Sequence, residues 1–152
     1  MQQQFSNFKE FFRSIQILHA AMFMGVVMLL VILKFILGIE DRSEGDYLFA
    51  IIGIGLAMSS LVFGNIIFNK KVEAIKKEEL PVMAKLTRYR EAFIMNLALL
   101  EGPALICLVL HFLNGDPLLF YACIFMLIML VLARPTEEKV MRALGLRSED
   151  IQ

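Results

Sequence analysis

The chain has no tryptophan, two cysteines, four prolines and almost no charge inside its long apolar runs. Each shortage excludes something. Without Trp, the usual amphipathic anchors at a membrane interface are missing, and Tyr47, Tyr89 and Tyr121 remain to serve in part. Cys107 and Cys123 both fall in apolar runs, where cysteine behaves as a small hydrophobe, and no metal-ligand spacing is formed. The sequence also lacks a phosphate-binding glycine loop, an HExxH or CxxC motif and a nucleophile elbow. No cofactor, metal or catalytic residue is therefore expected. Lys plus Arg (15) balance Asp plus Glu (15), so no bulk field selects nucleic acid. The first residues carry neither the basic start nor the cleavage site of a signal peptide, which leaves the first apolar run in place.

What the chain does have is hydrophobicity. At 152 residues its length suits one domain, and 59% apolar residues with a mean hydropathy of +0.70 are too many for a soluble domain of this size. Apolar runs at about 15–37, 47–68, 92–113 and 117–133 each read as a transmembrane helix, since a span needs ~20 residues at ~1.5 Å rise. The expected fold is all-α: one integral membrane domain over 1–152 with four spans and a polar segment at 69–91.

The connections follow from composition. Residues 1–14 read as a lead helix lying against headgroups, with Phe5, Phe8, Phe11 and Phe12 on one face. Residues 38–46 and Asn114-Gly-Asp-Pro117 read as turns. Val72, Ile75 and Leu80 carry the second helix past the apolar zone until Pro81 interrupts it. Arg134-Pro135 breaks the chain after the fourth span, and Thr136 caps a short helix running toward Leu144 and Gly145. Seven Lys/Arg lie in the middle segment, four in the C-terminal tail and two in the lead, against Arg42 alone in the two opposite turns. By the positive-inside rule both termini and the middle segment are cytoplasmic.

Only Lys34 and Glu101 interrupt the apolar runs. Lys34, near a span end, can snorkel outward. Glu101, near a midplane, cannot, and a charged acid there costs at least ~2.5–3.5 kcal/mol on the insertion scale. It must be protonated, paired or turned toward a polar cavity. Gly102 and Pro103 follow it, and Pro103 has no N–H for the carbonyl of Leu99, so the helix opens or kinks beside the acid. Ser60 matches Glu101 best in depth and is its candidate partner for holding an ion or proton. Asn96, five residues earlier on the same helix, points elsewhere, and His19 and His111 read as interfacial. Ala50, Gly53, Ala57, Ser60 and Gly64 form a small-residue stripe where a neighbouring helix can approach, and Gly102 and Pro103 join the packing set.

Shifted by 77 positions, Ile17, Ala21, Gly25, Leu33, Phe35 and Gly38 fall on Ile94, Ala98, Gly102, Leu110, Phe112 and Gly115. Met24 falls on Glu101. The matches describe a duplicated helical hairpin with its copies in parallel orientation.

Lys71-Val-Glu-Ala-Ile75, followed by Arg90-Glu-Ala-Phe-Ile-Met-Asn-Leu-Ala-Leu-Leu-Glu-Gly-Pro-Ala-Leu105, resembles the hairpin of the rotor-ring proteolipid, subunit c of rotary ATPases. That resemblance covers roughly 47–113 and implies that Glu101 carries a proton or Na⁺. The chain is also similar to small, uncharacterised bacterial four-span proteins with a Leu-Leu-Glu-Gly-Pro-Ala segment and an ending like Arg134-Pro-Thr-Glu-Glu-Lys139, which implies a bacterial inner membrane and no particular activity.

Three functions are compatible with these residues: a non-catalytic subunit or scaffold of a membrane complex, homo-oligomeric or mixed, with membrane lipids around it; an ion-translocating proteolipid using Glu101; and a lipid-modifying membrane enzyme. No second acid lies in the spans to help Glu101, which puts the subunit reading first.

Overall fold

A computed structural model describes residues 2–38 and 47–146, with side chains from Phe8 onward in the first stretch. The turn at 39–46 and the side chain of Phe5 lie outside the described residues. Among them all regular structure is helical: α1 (Gln2–Val31), a π-helical turn (Ile32–Ile36), α2 (Tyr47–Lys77), α3 (Val82–Asn114), α4 (Pro117–Leu132) and α5 (Glu137–Leu144).

The expected break between an interfacial lead and the first span is absent. Nothing in α1 stops a helix: it contains no proline, and Gly25 is its one glycine. Its buried residues Phe8, Phe12, Ile15, His19 and Val26 recur at spacings of three, four and seven, one stripe of a continuous helix that Leu33 extends into the π-helical turn. Phe8 and Phe12 stack at 6.4 Å and join the buried cluster that contains Leu86, Val140 and Leu144. Folded chain, rather than headgroups, covers this aromatic face. The π-helical turn closes with Leu37 N–H donating to the Ile32 carbonyl at 3.0 Å, a widened turn that sequence pattern does not announce.

α2 buries a narrow face of small residues, Ala50, Gly53, Ala57, Ser60 and Gly64, then continues as an amphipathic helix on Val72 and Ile75. Its end at Lys77 and the start of α3 at Val82 leave a break of four residues, so most of the polar segment 69–91 is helical. Pro81 occupies the N-cap of α3, its carbonyl accepting from the N–H groups of Ala84 and Lys85. An Arg88–Glu78 ion pair at 2.5 Å crosses the break.

α3 is the centre. Its buried residues run along its whole length from Leu86 to His111. It ends at Gly115, whose φ of 74° suits a residue without a Cβ and whose N–H donates to the His111 carbonyl at 2.7 Å. Asp116 then caps α4 by accepting the Leu118 N–H at 2.8 Å, with Pro117 in the first turn. At 16 residues α4 is only ~24 Å long. A 75° bend follows, and Thr136 caps α5, accepting the Lys139 N–H at 3.3 Å. α5 buries Val140 and Leu144 and leaves Glu137, Glu138 and Arg142 exposed.

Cross-helix contacts give the directions. Gly53 faces Cys107 and Leu110, Gly64 faces Asn96, and Phe68 meets Tyr89, so α2 and α3 are antiparallel. His19 meets Leu130 and Lys34 meets Phe120, so α1 and α4 are antiparallel. α1 and α3 therefore run the same way. α1, α2 and α3 are each long and apolar enough to cross a membrane, and the bent α4–α5 pair is a fourth candidate. Their outward surface carries Ile17, Met28, Ile51, Phe63, Leu113 and Ile128, all more than half exposed or nearly so, which suits contact with lipid rather than water.

Candidate functional site

The site is built around the proline in α3. Pro103 offers no N–H, so the Leu99 carbonyl one turn earlier loses its helical donor. In hydrocarbon that oxygen has no water to turn to. The hydroxyl of Ser60 on α2 supplies the missing proton, donating to Leu99 O. Gly64, one turn along α2, lies against Leu99 from the same side, where a Cβ would sit 3.5 Å from Leu99 Cβ. Small residues bring α2 close enough for a side chain as short as serine to reach α3 backbone.

Gly53 shows how close the approach is. A Cβ placed there would lie 2.5 Å from Leu119 Cδ2 and 3.5 Å from Cys107 Sγ, and the Cys107 thiol donates to the Gly53 carbonyl at 3.4 Å. Ala57 and Ala50 are buried on the same face, as is Pro103 on α3. Gly102 is different: a Cβ there would meet nothing within 4 Å, so the space where a side chain would stand is open.

Glu101 does not meet Ser60. Leu99 and Glu101 are two residues apart and so project about 200° apart around the helix. α2 lies on the Leu99 side, and Glu101 turns toward α1. There its Oε1 lies 3.5 Å from the Cβ position of Gly25. A Cβ at position 25 would be in ordinary contact with the carboxylate, and a longer side chain would compete for the space beside it. Glu101 is partly exposed and forms no hydrogen bond or ion pair among the described residues. Ala98, three residues earlier, and Ala21, one turn before Gly25, are small and exposed, and the larger Met28, three residues after Gly25, is exposed as well. The carboxylate thus lies between α1 and α3, with Gly25 beside it.

Both histidines depart from the interfacial reading. His19 is 8% exposed, and its Nε2 lies 2.8 Å from the Leu130 carbonyl. A carbonyl only accepts, so Nε2 carries the proton. Leu130 is in the last turn of α4, whose carbonyls lack helical donors. Ala133 N–H takes Met129 O, Arg134 N–H takes Val131 O, His19 takes Leu130 O, and Lys139 Nζ donates to Leu132 O at 3.3 Å. Sequence spacing could not show this, because the acceptor is backbone 111 residues away. His111 is 1% exposed and donates from Nδ1 to the Asp116 carbonyl at 2.8 Å, inside the α3–α4 turn.

Gly25 is the residue of this site that sequence reasoning missed. Its one signal was the 77-residue shift, which aligned it with Gly102 and set Met24 on Glu101 without indicating that α1 and α3 meet there. Comparison with known protein families, curated proteins and solved structures yields no match.

Proposed function

We propose that the chain is a four-span integral membrane protein, a duplicated helical hairpin with both termini and residues 69–91 on the cytoplasmic face of a bacterial inner membrane. In this reading it is a non-catalytic subunit or scaffold of a membrane complex. The parallel run of α1 and α3 supports the duplication, and the Lys/Arg asymmetry supports the orientation.

The observation that carries the functional reading is the unbonded Glu101 carboxylate between α1 and α3, with Gly25 beside it. An acid at mid-span is expensive when alone, and small residues let another helix come close. A helix from a neighbouring chain, donating to Glu101 across Ala21, Gly25 and Ala98, meets both conditions. Ion transfer resembling that of rotor proteolipids is the second reading, favoured by the same unbonded carboxylate. It has less support because Ser60, the candidate second oxygen, faces the Leu99 side of α3 and not Glu101.

Native mass spectrometry of protein released from nanodiscs separates the readings. The subunit reading expects a small oligomer or a mixed complex that weakens in Glu101→Leu and persists in Gly55→Leu, a site with open space around it. A ring of many identical copies transfers support to the proteolipid reading. A monomer under all conditions overturns both.

A further inference from the structure

A half-open cavity of about 310 Å³ lies where the apolar part of the bundle meets its charged end, lined by α2, α3, the end of α4, the bend that follows and α5. Its α3 wall is one helical face: Tyr89, Phe93, Asn96 and Leu100 recur at spacings of four, three and four. Phe68 of α2 meets Tyr89 edge-on at 5.9 Å, and Tyr89 stacks with Phe93 at 6.2 Å, so the aromatic wall is fixed in place. Arg134, from the bend, completes the rim.

The polar groups in this wall are uncommitted. Asn96 is 8% exposed, yet its amide forms no hydrogen bond among the described residues. Neither amide atom is sealed from the cavity. The Tyr89 hydroxyl, on a residue 4% exposed, is likewise unbonded, and the Arg134 guanidinium forms no ion pair among the described residues. Buried amides and hydroxyls are ordinarily satisfied, and leaving one bare costs stability. Here a neutral donor set, an apolar aromatic wall and a free guanidinium converge at the depth where a bilayer changes from acyl chain to headgroup.

We propose that this cavity is a binding site for an anionic phospholipid, its phosphate held by Arg134, its glycerol-ester oxygens by Asn96 and Tyr89, and its proximal acyl carbons by Phe68 and Phe93. The reading rests on the chain spanning a membrane. The guanidinium matches a phosphate in charge and in its bidentate geometry. Lys139 also lines the cavity, but its ammonium already donates to the Leu132 and Arg134 carbonyls at 3.3 and 3.4 Å, and it adds charge at the rim without leaving that post.

The test is native mass spectrometry of protein released from nanodiscs of phosphatidylglycerol and phosphatidylcholine in equal parts, reading which lipid stays bound. Wild type should retain phosphatidylglycerol in preference. Arg134→Gln should lower that retention about fivefold, the effect of roughly one cationic contact. Asn96→Asp, nearly the same size but repelling phosphate, should lower it as well. Arg142→Gln removes the same charge from an exposed α5 residue paired with Glu138 and should change nothing. Should Asn96→Asp fail to fold, Arg134→Gln against Arg142→Gln still decides. Equal retention of both lipids, or equal loss in the two Arg variants, overturns the proposal. Inorganic phosphate stabilising lipid-free protein as well as phosphatidylglycerol does would assign the site to the free anion and overturn the lipid. A chain that does not enter nanodiscs at all would instead refute the membrane reading.

Discussion

The hydroxyl of Ser60 donates to the carbonyl of Leu99, the oxygen that Pro103 deprives of its helical donor. The proline in α3 and the serine in α2 are thus two halves of one arrangement. A proline inside a spanning helix is tolerated where a neighbouring side chain re-satisfies the freed backbone. The narrow stripe of Ala57, Ser60 and Gly64 brings that neighbour within reach.

A double-mutant cycle measures the arrangement. Ser60→Ala leaves Leu99 O bare and should destabilise the protein in detergent by roughly 0.5–1.5 kcal/mol, the range of interhelical hydrogen bonds in membranes. Pro103→Ala restores an amide to the same oxygen. In the Pro103→Ala background Ser60→Ala should therefore cost clearly less, with a coupling of about 0.5 kcal/mol or more. Additive effects in thermal or denaturant unfolding would mean that the two residues act separately.

Two glycines in α2 make a matched pair. A Cβ at Gly53 would lie 2.5 Å from Leu119 Cδ2, whereas one at Gly55 would meet nothing within 4 Å. Gly53→Leu should cost at least ~1–3 kcal/mol by overpacking the α2–α3–α4 contact. Gly55→Leu should be neutral or slightly stabilising, since it also removes the glycine entropy cost in a helix. The readout is the midpoint of thermal aggregation in one detergent, and equal tolerance at both positions would place the packing face elsewhere.

Which parts of this were legible in the sequence follows from the range of each interaction. The turn at Gly115, the caps at Asp116 and Thr136, and the small stripe of α2 are local chemistry or period, and all can be read from neighbouring residues. The helical continuation past Phe68 was visible in Val72 and Ile75. Burial of Phe8 and Phe12 was not, because an aromatic face on a lead helix looks the same whether headgroups or other helices cover it. The partners of Glu101 and His19 were hidden for a related reason. Depth along a span restricts which residues share a level, but not which way each helix is rotated, and rotation turned Ser60 toward Leu99 and Glu101 toward Gly25. The π-helical turn at Ile32–Ile36 left no composition signal.

The orientation has its own test. In a variant with Cys107 and Cys123 replaced by Ala, a single Cys at Ser43 or Asn114 should react with an impermeant maleimide added outside intact cells. One at Glu79 should react only after permeabilisation. The native cysteines are both buried, so their removal from the labelling background is a precaution against leakage from unfolded protein. The reverse pattern would invert the topology, and labelling at Ser43 but not at Asn114 would mean that α3 does not carry its C-terminal end across.

Glu101 itself decides between the two functional readings. Beside Gly25 the carboxylate forms no hydrogen bond among the described residues, and the two readings differ in what would occupy it. If that is a helix of a neighbouring subunit, Glu101→Gln should keep the assembly, because the amide still donates and accepts in the same place. Glu101→Leu should weaken it by roughly 1–2 kcal/mol, as loss of an intramembrane hydrogen bond does. Gly25→Leu, which fills the space beside the acid, should weaken assembly too while leaving the α2–α3 packing intact. A hydrophobic carbodiimide should then label Glu101 poorly in the assembled protein and well in the dissociated one. If the acid carries ions, the pattern is different: selective labelling in the assembled protein, normal folding of Glu101→Gln, and loss of ion flux into proteoliposomes. The expected outcome is the first, because Ser60, the candidate second oxygen ligand, faces the Leu99 side of α3 and not Glu101.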